Sequence, residues 1–287
     1  MDGITDRHQN YFACLGPARS GTTWLHRYLR DHSTAKMTTM KEIHWFDTAT
    51  GVKPDRKSAR MAVRWANIRK KAAQSGRPLS EVQLEVRDRA LMKSDADYRR
   101  FFTDRFGPDD TFGDVTPSYW RLTPDGFGRM LDVFPEAKIV FLMRNPTDAM
   151  WSRAAHAISN GGAQQTQDQI VRSRLTAEAS AFDLPPLQDI HSKLVSVFHP
   201  HRIHCVFTED LFSDNADATL TALCNFLGVK GAPVQRHTYN GNRGIYDPMP
   251  KDLRHTVACH YRQTYAFAKQ RMKRLPEPWE RDMQAIL

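Results

Sequence analysis

Residues 11–25 read YFACLGPARSGTTWL, and the interpretation of the whole chain starts from them. The stretch begins with a short apolar run, which is typical of a buried strand. Gly16 and Pro17 then predict a turn, and apolar residues recur at helical spacing after Thr22. A strand, a glycine-bounded loop and a helix in this order point backbone N–H groups and the positive end of a helix at one place. The stretch therefore predicts an anion-binding loop.

The spacing of Gly16 and Gly21 is similar to that of the two glycines of a P-loop. In a P-loop a lysine follows the second glycine and binds the outer phosphates of a nucleoside triphosphate. Thr22 occupies that position here, and Arg19 supplies a cation from inside the loop. The missing lysine argues against a P-loop kinase or nucleotide hydrolase acting on a small molecule, which remains the alternative interpretation.

The sequence GPARSGTTW, residues 16–24, resembles the phosphosulfate-binding loop of sulfotransferases that use 3′-phosphoadenylyl sulfate (PAPS). Two further segments carry the same resemblance. KEIHWFD, residues 41–47, resembles the Lys-Glu-x-His-x-Phe-x motif of heparan-sulfate-type and related bacterial sulfotransferases, and RNPTDAMWS, residues 144–152, is similar to the family's 3′-phosphate motif. Residues 240–244 loosely resemble its C-terminal cofactor-closing loop.

The resemblance implies a sulfuryl transfer from PAPS to a hydroxyl or amine of an acceptor, with adenosine 3′,5′-bisphosphate as product and no metal. Glu42 would be the base that deprotonates the acceptor, Arg19 would stabilise the leaving group, and His44 is a rival for the base. Lys41, His44 and Asp47 would contact the acceptor. The residues expected to bind the cofactor are Arg19, Ser20, Gly21, Thr22, Thr23, Trp24, Arg144, Ser152 and Arg243.

Two expectations about these side chains can be tested by the structure. Glu42 and His44 are expected to point to opposite sides of their loop, so one would face the acceptor and the other would support it. Trp24 matches a tryptophan that stacks on adenine in some family members, and a place in the core is the equal alternative. The pattern also departs from the family at Asp114, which replaces a glutamate, and at Val115, where glycosaminoglycan enzymes often carry a lysine.

Composition and charge limit the classes of protein to which this chain can belong. The chain has 287 residues and a formal net charge of +9, with 40% hydrophobic and 25% charged residues, as in ordinary globular proteins. Basic charge attracts nucleic acid, acidic lipid or anionic substrates, but no nucleic-acid-binding motif accompanies it. No apolar run approaches the roughly 20 residues of a membrane span, and no signal peptide is visible. We expect a cytoplasmic protein without stable membrane insertion, which binds no nucleic acid and acts on a glycan, a lipid head group or a small molecule.

Strands alternate with helices along the chain, which predicts an α/β, three-layer P-loop-like fold with a central parallel sheet flanked by helices. We expect one sulfotransferase domain over 1–287, with an acceptor-side insertion around 48–99 and a possible lid around 160–186. The basic stretch 51–93 contains part of an amphipathic helix. Helices are also expected over 95–106 and, as one long element, over 251–273.

Overall fold

A computed structural model describes residues 10–160, 165–176, 184–233 and 247–287. Its strands are β1 (Tyr11–Leu15), β2 (Phe112–Val115), β3 (Lys138–Met143) and β4 (Ile203–Phe207). They form one parallel sheet in the order β2-β1-β3-β4. The predicted α/β fold with a central parallel sheet is confirmed.

Helices pack on both faces of this sheet. In chain order those of the described residues are α1 (Thr22–His32), α2 (Phe46–Ala49), α3 (Arg56–Ser75), α4 (Glu81–Leu91), α5 (Asp95–Thr103), α6 (Pro124–Val133), α7 (Pro146–Ser159), α8 (Gln167–Thr176), α9 (Leu187–Val195), α10 (Ala216–Leu227), α11 (Lys251–His260), α12 (Arg262–Met272) and α13 (Glu277–Gln284). Short 3-10 helices occupy Pro117–Arg121, Pro200–Arg202 and Glu209–Phe212.

The two faces of the sheet belong to two separate apolar cores, because successive side chains of a strand point to opposite faces. From β1, Tyr11, Ala13 and Leu15 enter the larger core, which is built with α5, α6, α7, α9 and the C-terminal helices. Phe12 and Cys14 enter the smaller core, which α1 and α10 complete. Both central strands, β1 and β3, are therefore continuous apolar runs, as expected for a parallel sheet covered on both sides.

Two helix predictions are corrected. The long helix expected over 251–273 is interrupted at Tyr261, which has φ −95° and ψ 19° and separates α11 from α12. The Tyr261 hydroxyl donates a hydrogen bond to the carbonyl of Leu184, and this tertiary contact fixes the residue at the break. The helix expected over 95–106 ends already at Thr103, although Phe106 still packs against the core.

The carboxyl ends of all four strands meet at one edge of the sheet, where open α/β sheets bind their ligands. The β1–α1 loop leaves this edge in close contact with β3. A Cβ atom on Gly16 would lie 2.4 Å from the carbonyl oxygen of Leu142, so only glycine fits at this position. Gly21 precedes α1 with φ 77°, which is a second position that favours glycine.

Candidate active site

The loop between β1 and α1 has the geometry of an anion site. Gly21 turns the chain into α1, whose first N–H groups, from Thr22 on, have no acceptor inside the helix. Arg19 also has a positive φ, 74°, which is uncommon for a residue with a side chain. Ser20 is fully buried, and its hydroxyl has no hydrogen-bond partner among the described residues. The loop thus holds a polar atom that a bound anion could satisfy.

Arg144 and Ser152 converge on this loop from the neighbouring strand and helix. Arg144 follows β3, and its guanidinium donates a hydrogen bond to the carbonyl of Arg19. Ser152 lies on the inner side of α7, and its hydroxyl accepts a hydrogen bond from Nε of Arg19 over 3.2 Å. Pro146 stands in the first turn of α7, where its missing N–H costs nothing. Residues 16–24 and residues 144–152 therefore meet and form one positively charged corner.

A cleft of about 1530 Å³ opens at this corner. It is lined by nine of the residues predicted from sequence to form the site: Arg19, Gly21, Thr22, Thr23, Trp24, Lys41, Glu42, Arg144 and Ser152. Ser20, His44 and Asp47 are not among its lining residues. Arg243 belongs to residues 234–246, which lie outside the described part of the chain. Residues 161–164 and 177–183 of the possible lid also lie outside it.

Trp24 lies in the apolar core and also borders the cleft. Its ring is only 7% exposed and belongs to the smaller core. It stacks on Tyr28 with ring centroids 5.6 Å apart and meets the edge of Phe212 at 5.2 Å. Trp24 is nevertheless one of the residues that line the cleft. Trp24 is therefore a rigid, packed aromatic wall of the cleft.

Glu42 and His44 lie on the same side of their segment, so the expectation that they point apart is wrong; even in an extended chain, residues two positions apart share one face. Both residues have φ 57°, so the segment is not extended. Nε2 of His44 lies 3.4 Å from a carboxylate oxygen of Glu42. Nδ1 of His44 lies 2.8 Å from Oδ2 of Asp47, to which Ser118 also donates a hydrogen bond of 2.6 Å. The result is a line of contacts from Glu42 at the cleft to buried Asp47.

The pKa values of these groups follow from their contacts. Burial by itself would raise the pKa of Glu42, but the hydrogen bond with His44 and the charge of Lys41 lower it to about 2. Burial would lower the pKa of His44, yet hydrogen bonds to Asp47 and Glu42 raise it. Burial likewise opposes ionisation of Asp47, and the hydrogen bond and charge of His44 hold its pKa below the usual range. Both carboxylates are therefore ionised around a readily protonated imidazole.

Lys41 links the acceptor-side motif to the anion loop. Its ammonium group donates hydrogen bonds to the hydroxyl of Thr23, over 2.9 Å, and to Glu42, over 2.7 Å. Lys41, Arg19 and Arg144 thus place three cations around one end of the cleft. The conformation brings the two sequence motifs together through this ammonium group.

The bent 41–47 segment is held by charged residues of α4 that the sequence analysis did not single out. The carboxylate of Glu85 accepts hydrogen bonds from the backbone of Thr39 and Met40. The fully buried guanidinium of Arg89 donates to the carbonyls of Ile43, over 2.7 Å, and His44, over 3.3 Å. Glu85 and Arg89 are four residues apart on one helix face, a spacing that could have signalled an inward-facing charged pair.

Asp114 supports the same segment from β2. It is buried, its pKa is raised by burial, and it accepts hydrogen bonds from the hydroxyls of Tyr98, over 3.2 Å, and Tyr119, over 2.8 Å. Tyr119 in turn accepts one from the backbone N–H of Trp45. Val115 is buried in the smaller core, so its side chain adds no charge to the cleft.

The fold and the site define an α/β protein with a glycine-bounded loop at the carboxyl edge of its parallel sheet. A sequence model described as "Sulfotransferase family" matches residues 12–233, more than half of the chain, and the chain therefore belongs to the sulfotransferase family. It is a transferase that moves sulfuryl groups, and nothing in the match favours the kinase alternative. No curated protein sequence gives a significant match.

One solved sulfotransferase shares the fold, and two more are similar to the chain over most of its length. A sulfotransferase from Alicyclobacillus acidocaldarius is 19% identical, with a TM-score of 0.60, over 94% of this chain and 98% of that one. A sulfotransferase domain of the curacin biosynthetic pathway is 18% identical, with a TM-score of 0.48, over 96% and 95%. Mouse sulfotransferase SULT7A1, solved in complex with PAP, is 13% identical, with a TM-score of 0.45, over 94% and 69%.

Within the described residues, no helix has the length and apolar character needed to cross a bilayer.

Proposed function

We propose that this chain transfers the sulfuryl group of PAPS to a hydroxyl or amine of its acceptor. The observation that carries the proposal is the meeting of three separate motifs, at residues 16–24, 41–47 and 144–152, in one cleft. The residues fit the donor's two anionic ends. Arg19 and the N–H groups at the start of α1 suit one anionic group, while Arg144 and Ser152 add a second cluster of donors.

Each side chain has a distinct task in this proposal. PAPS, when bound, supplies the sulfuryl group and departs as adenosine 3′,5′-bisphosphate. Arg19 and the first N–H groups of α1 place positive charge where the leaving group gains negative charge. Arg144 and Ser152 bind the 3′-phosphate that distinguishes this nucleotide from AMP. Trp24 offers an apolar wall to the adenine. The likeness of residues 240–244 to the family's C-terminal loop assigns Arg243 to cofactor binding.

Glu42 accepts the proton of the attacking hydroxyl or amine, because its carboxylate lines the cleft and its side chain is 39% exposed. His44 orients this carboxylate through the contact at Nε2, while buried Asp47 holds the opposite ring nitrogen. A carboxylate with a pKa of about 2 is a weak base. Loss of the His44 proton removes one stabilising partner and makes Glu42 more basic, so the rate should rise as His44 deprotonates.

The test compares Glu42→Gln with His44→Ala in single-turnover transfer at saturating PAPS across pH. Loss of a general base costs about 10²–10⁴-fold in rate, so Glu42→Gln should lose that much while binding the bisphosphate normally. His44→Ala should mainly raise the Michaelis constant of the acceptor. Near-normal turnover of Glu42→Gln, together with an inactive His44→Ala, would assign the base role to His44.

The choice of donor is tested separately by calorimetry. Adenosine 3′,5′-bisphosphate should bind far more tightly than AMP, because the 3′-phosphate adds charge-assisted contacts worth about 1.5–3 kcal/mol each. Equal affinities would remove the proposed 3′-phosphate site. Transfer of labelled sulfate from PAPS to a panel of glycans, lipids and small molecules then identifies the acceptor.

A further inference from the structure

Nearly all of the net charge of the chain is concentrated in one short segment. Residues 56–77 contain eight arginines and lysines and no aspartate or glutamate, out of a formal net charge of +9 for the whole chain. The remaining residues are therefore close to neutral. The segment coincides with α3 and the turn that follows it. A general need for solubility would spread charge over the surface, so this concentration calls for a local explanation.

Helix α3 exposes this charge along its whole length. Met61 is its one buried residue, and the helix packs against α4 through that side. Five basic residues fall on one flank at helical spacing: Arg56, Lys57, Arg60, Arg64 and Lys71. Arg60 and Arg64 are exposed, and the described residues provide no ion pair to either of them. A 20-residue helix is about 30 Å long, so the flank is an extended basic edge.

Exposed apolar residues accompany the charge. Seven large apolar side chains are strongly exposed in the described part of the chain, and three of them lie on the α3–α4 hairpin: Val63 at 66%, Val82 at 41% and Leu91 at 56%. On α3, alanines 59, 62, 66 and 73 share the outer face with Val63, and Lys70 lies among them. A basic flank beside an exposed apolar face is typical of helices that lie on a membrane surface. A soluble polyanion would contact the basic flank alone and leave the apolar side chains exposed to water.

The basic flank begins at the acceptor side of the cleft. The ammonium group of Lys57 donates a hydrogen bond of 3.2 Å to the carbonyl of Lys41, next to Glu42. Burial lowers the pKa of Lys57, and the charge of Glu42 opposes that change. A surface that contacts α3 would therefore reach the side of the cleft where the acceptor enters.

We propose that the α3–α4 hairpin, residues 56–91, docks the protein on an anionic lipid surface. Clusters of four to eight lysines and arginines on an amphipathic helix bind anionic head groups, each contributing about fivefold to affinity. The hairpin contains such a cluster and no opposing acid on α3. Docking is peripheral, since α3 is held against α4 and none of the described helices can span a membrane. This binding does not depend on the proposed sulfuryl transfer.

The experiment is sedimentation of the full chain with vesicles of pure phosphatidylcholine and with vesicles that contain phosphatidylglycerol. The chain should bind the anionic vesicles and not the neutral ones, and the binding should weaken with added salt. Arg60→Glu combined with Arg64→Glu should weaken binding by at least roughly thirtyfold. The matched control, Lys251→Glu with Lys273→Glu, changes the net charge equally on exposed residues outside the hairpin and should bind as the wild type.

Three results would overturn the proposal: equal binding to both kinds of vesicle, equal loss in the control and the hairpin variant, or capture by soluble polyglutamate with no binding to anionic vesicles. Thermal melting followed by circular dichroism checks that each variant keeps its fold. A wild-type melting temperature with lost vesicle binding assigns the defect to the hairpin. Failure of the donor tests described above would leave this result unaffected.

Discussion

Replacement of Asp282 by alanine should destabilise the protein strongly, although the residue lies outside the matched family region and is not part of the cleft. Its carboxylate is 3% exposed and receives two bonds from the guanidinium of Arg254, at 2.6 and 2.8 Å. It also accepts hydrogen bonds from Asn145, at 2.9 Å, and from the hydroxyl of Thr147, at 2.6 Å. Helix α13 thereby holds the start of α7, directly after Arg144.

Arg254 is 23% exposed and keeps its ion pair with Asp148 at 2.9 Å, so the loss falls mainly on the buried amide of Asn145 and the buried hydroxyl of Thr147. A buried polar group that loses its partner costs about 1–3 kcal/mol, and the two together cost roughly 3–4 kcal/mol. Each kcal/mol lowers the melting temperature by roughly 2–4 °C in a protein of this size class, so Asp282→Ala should melt roughly 10 °C below the wild type. Asp282→Asn keeps the shape and should lose less. Affinity for adenosine 3′,5′-bisphosphate, measured well below the melting transition, should also fall, because Asn145 and the first turn of α7 lose their support.

The assay is calorimetric or spectroscopic melting with Asp252→Ala as the matched control. Asp252 is also an aspartate of a C-terminal helix paired with an arginine, but its side chain is 69% exposed. Exposed pairs contribute little, so the control should melt with the wild type. If Asp282→Ala had the same melting temperature as Asp252→Ala, the contacts of Asp282 would not be what holds α13 on the start of α7. That result would refute the reasoning.

Three further predictions concern the site and its surroundings. Arg19→Ala should reduce kcat more than it weakens bisphosphate binding, because its contact strengthens as the leaving group gains charge; weaker binding with unchanged kcat would make it a binding residue only. Asp47→Asn should shift the pH-dependent rise of kcat to lower pH, since Asp47 raises the pKa of His44; an unchanged midpoint would exclude this role. Burial raises the pKa of Glu209 from 4.5 to about 7, so its carboxyl favours the native state at low pH, and this contribution of about 3 kcal/mol is lost as pH rises from 4.5 to 7. Glu209→Gln should remove that slope from stability measured by denaturant titration across pH, and an unaltered slope would contradict the assignment.

The sequence predicted those parts of the molecule that depend on local patterns. β1 and β3 are continuous apolar runs because both faces of the sheet are covered. The turn into α1 was recognisable because Gly21 meets a local requirement, a left-handed conformation. Gly16 meets a tertiary one, the close approach of Leu142 in β3. Pro146 marks the start of α7 for an equally local reason.

Features that depend on distant partners escaped prediction. No pattern in residues 41–47 reveals that Glu42 and His44 both adopt left-handed conformations, because the groups that hold the segment come from α4. The break at Tyr261 depends on a carbonyl 77 residues away. Asp282 likewise acts through partners more than a hundred residues earlier, at Asn145 and Thr147. Sequence spacing cannot identify such pairs without the fold.

The α3–α4 hairpin carries the basic surface and also holds the backbone of residues 41–44. Left-handed conformations of non-glycine residues cost of order 1–3 kcal/mol each and persist where the surroundings determine them. At Glu42 and His44 those surroundings include Arg89 of α4, which binds the carbonyls of residues 43 and 44, and Lys57 of α3, which binds that of Lys41. Arg89 also donates to Ser58 and so ties α4 to α3. The groups that hold Glu42 and His44 in these conformations therefore lie on the same hairpin as the basic surface.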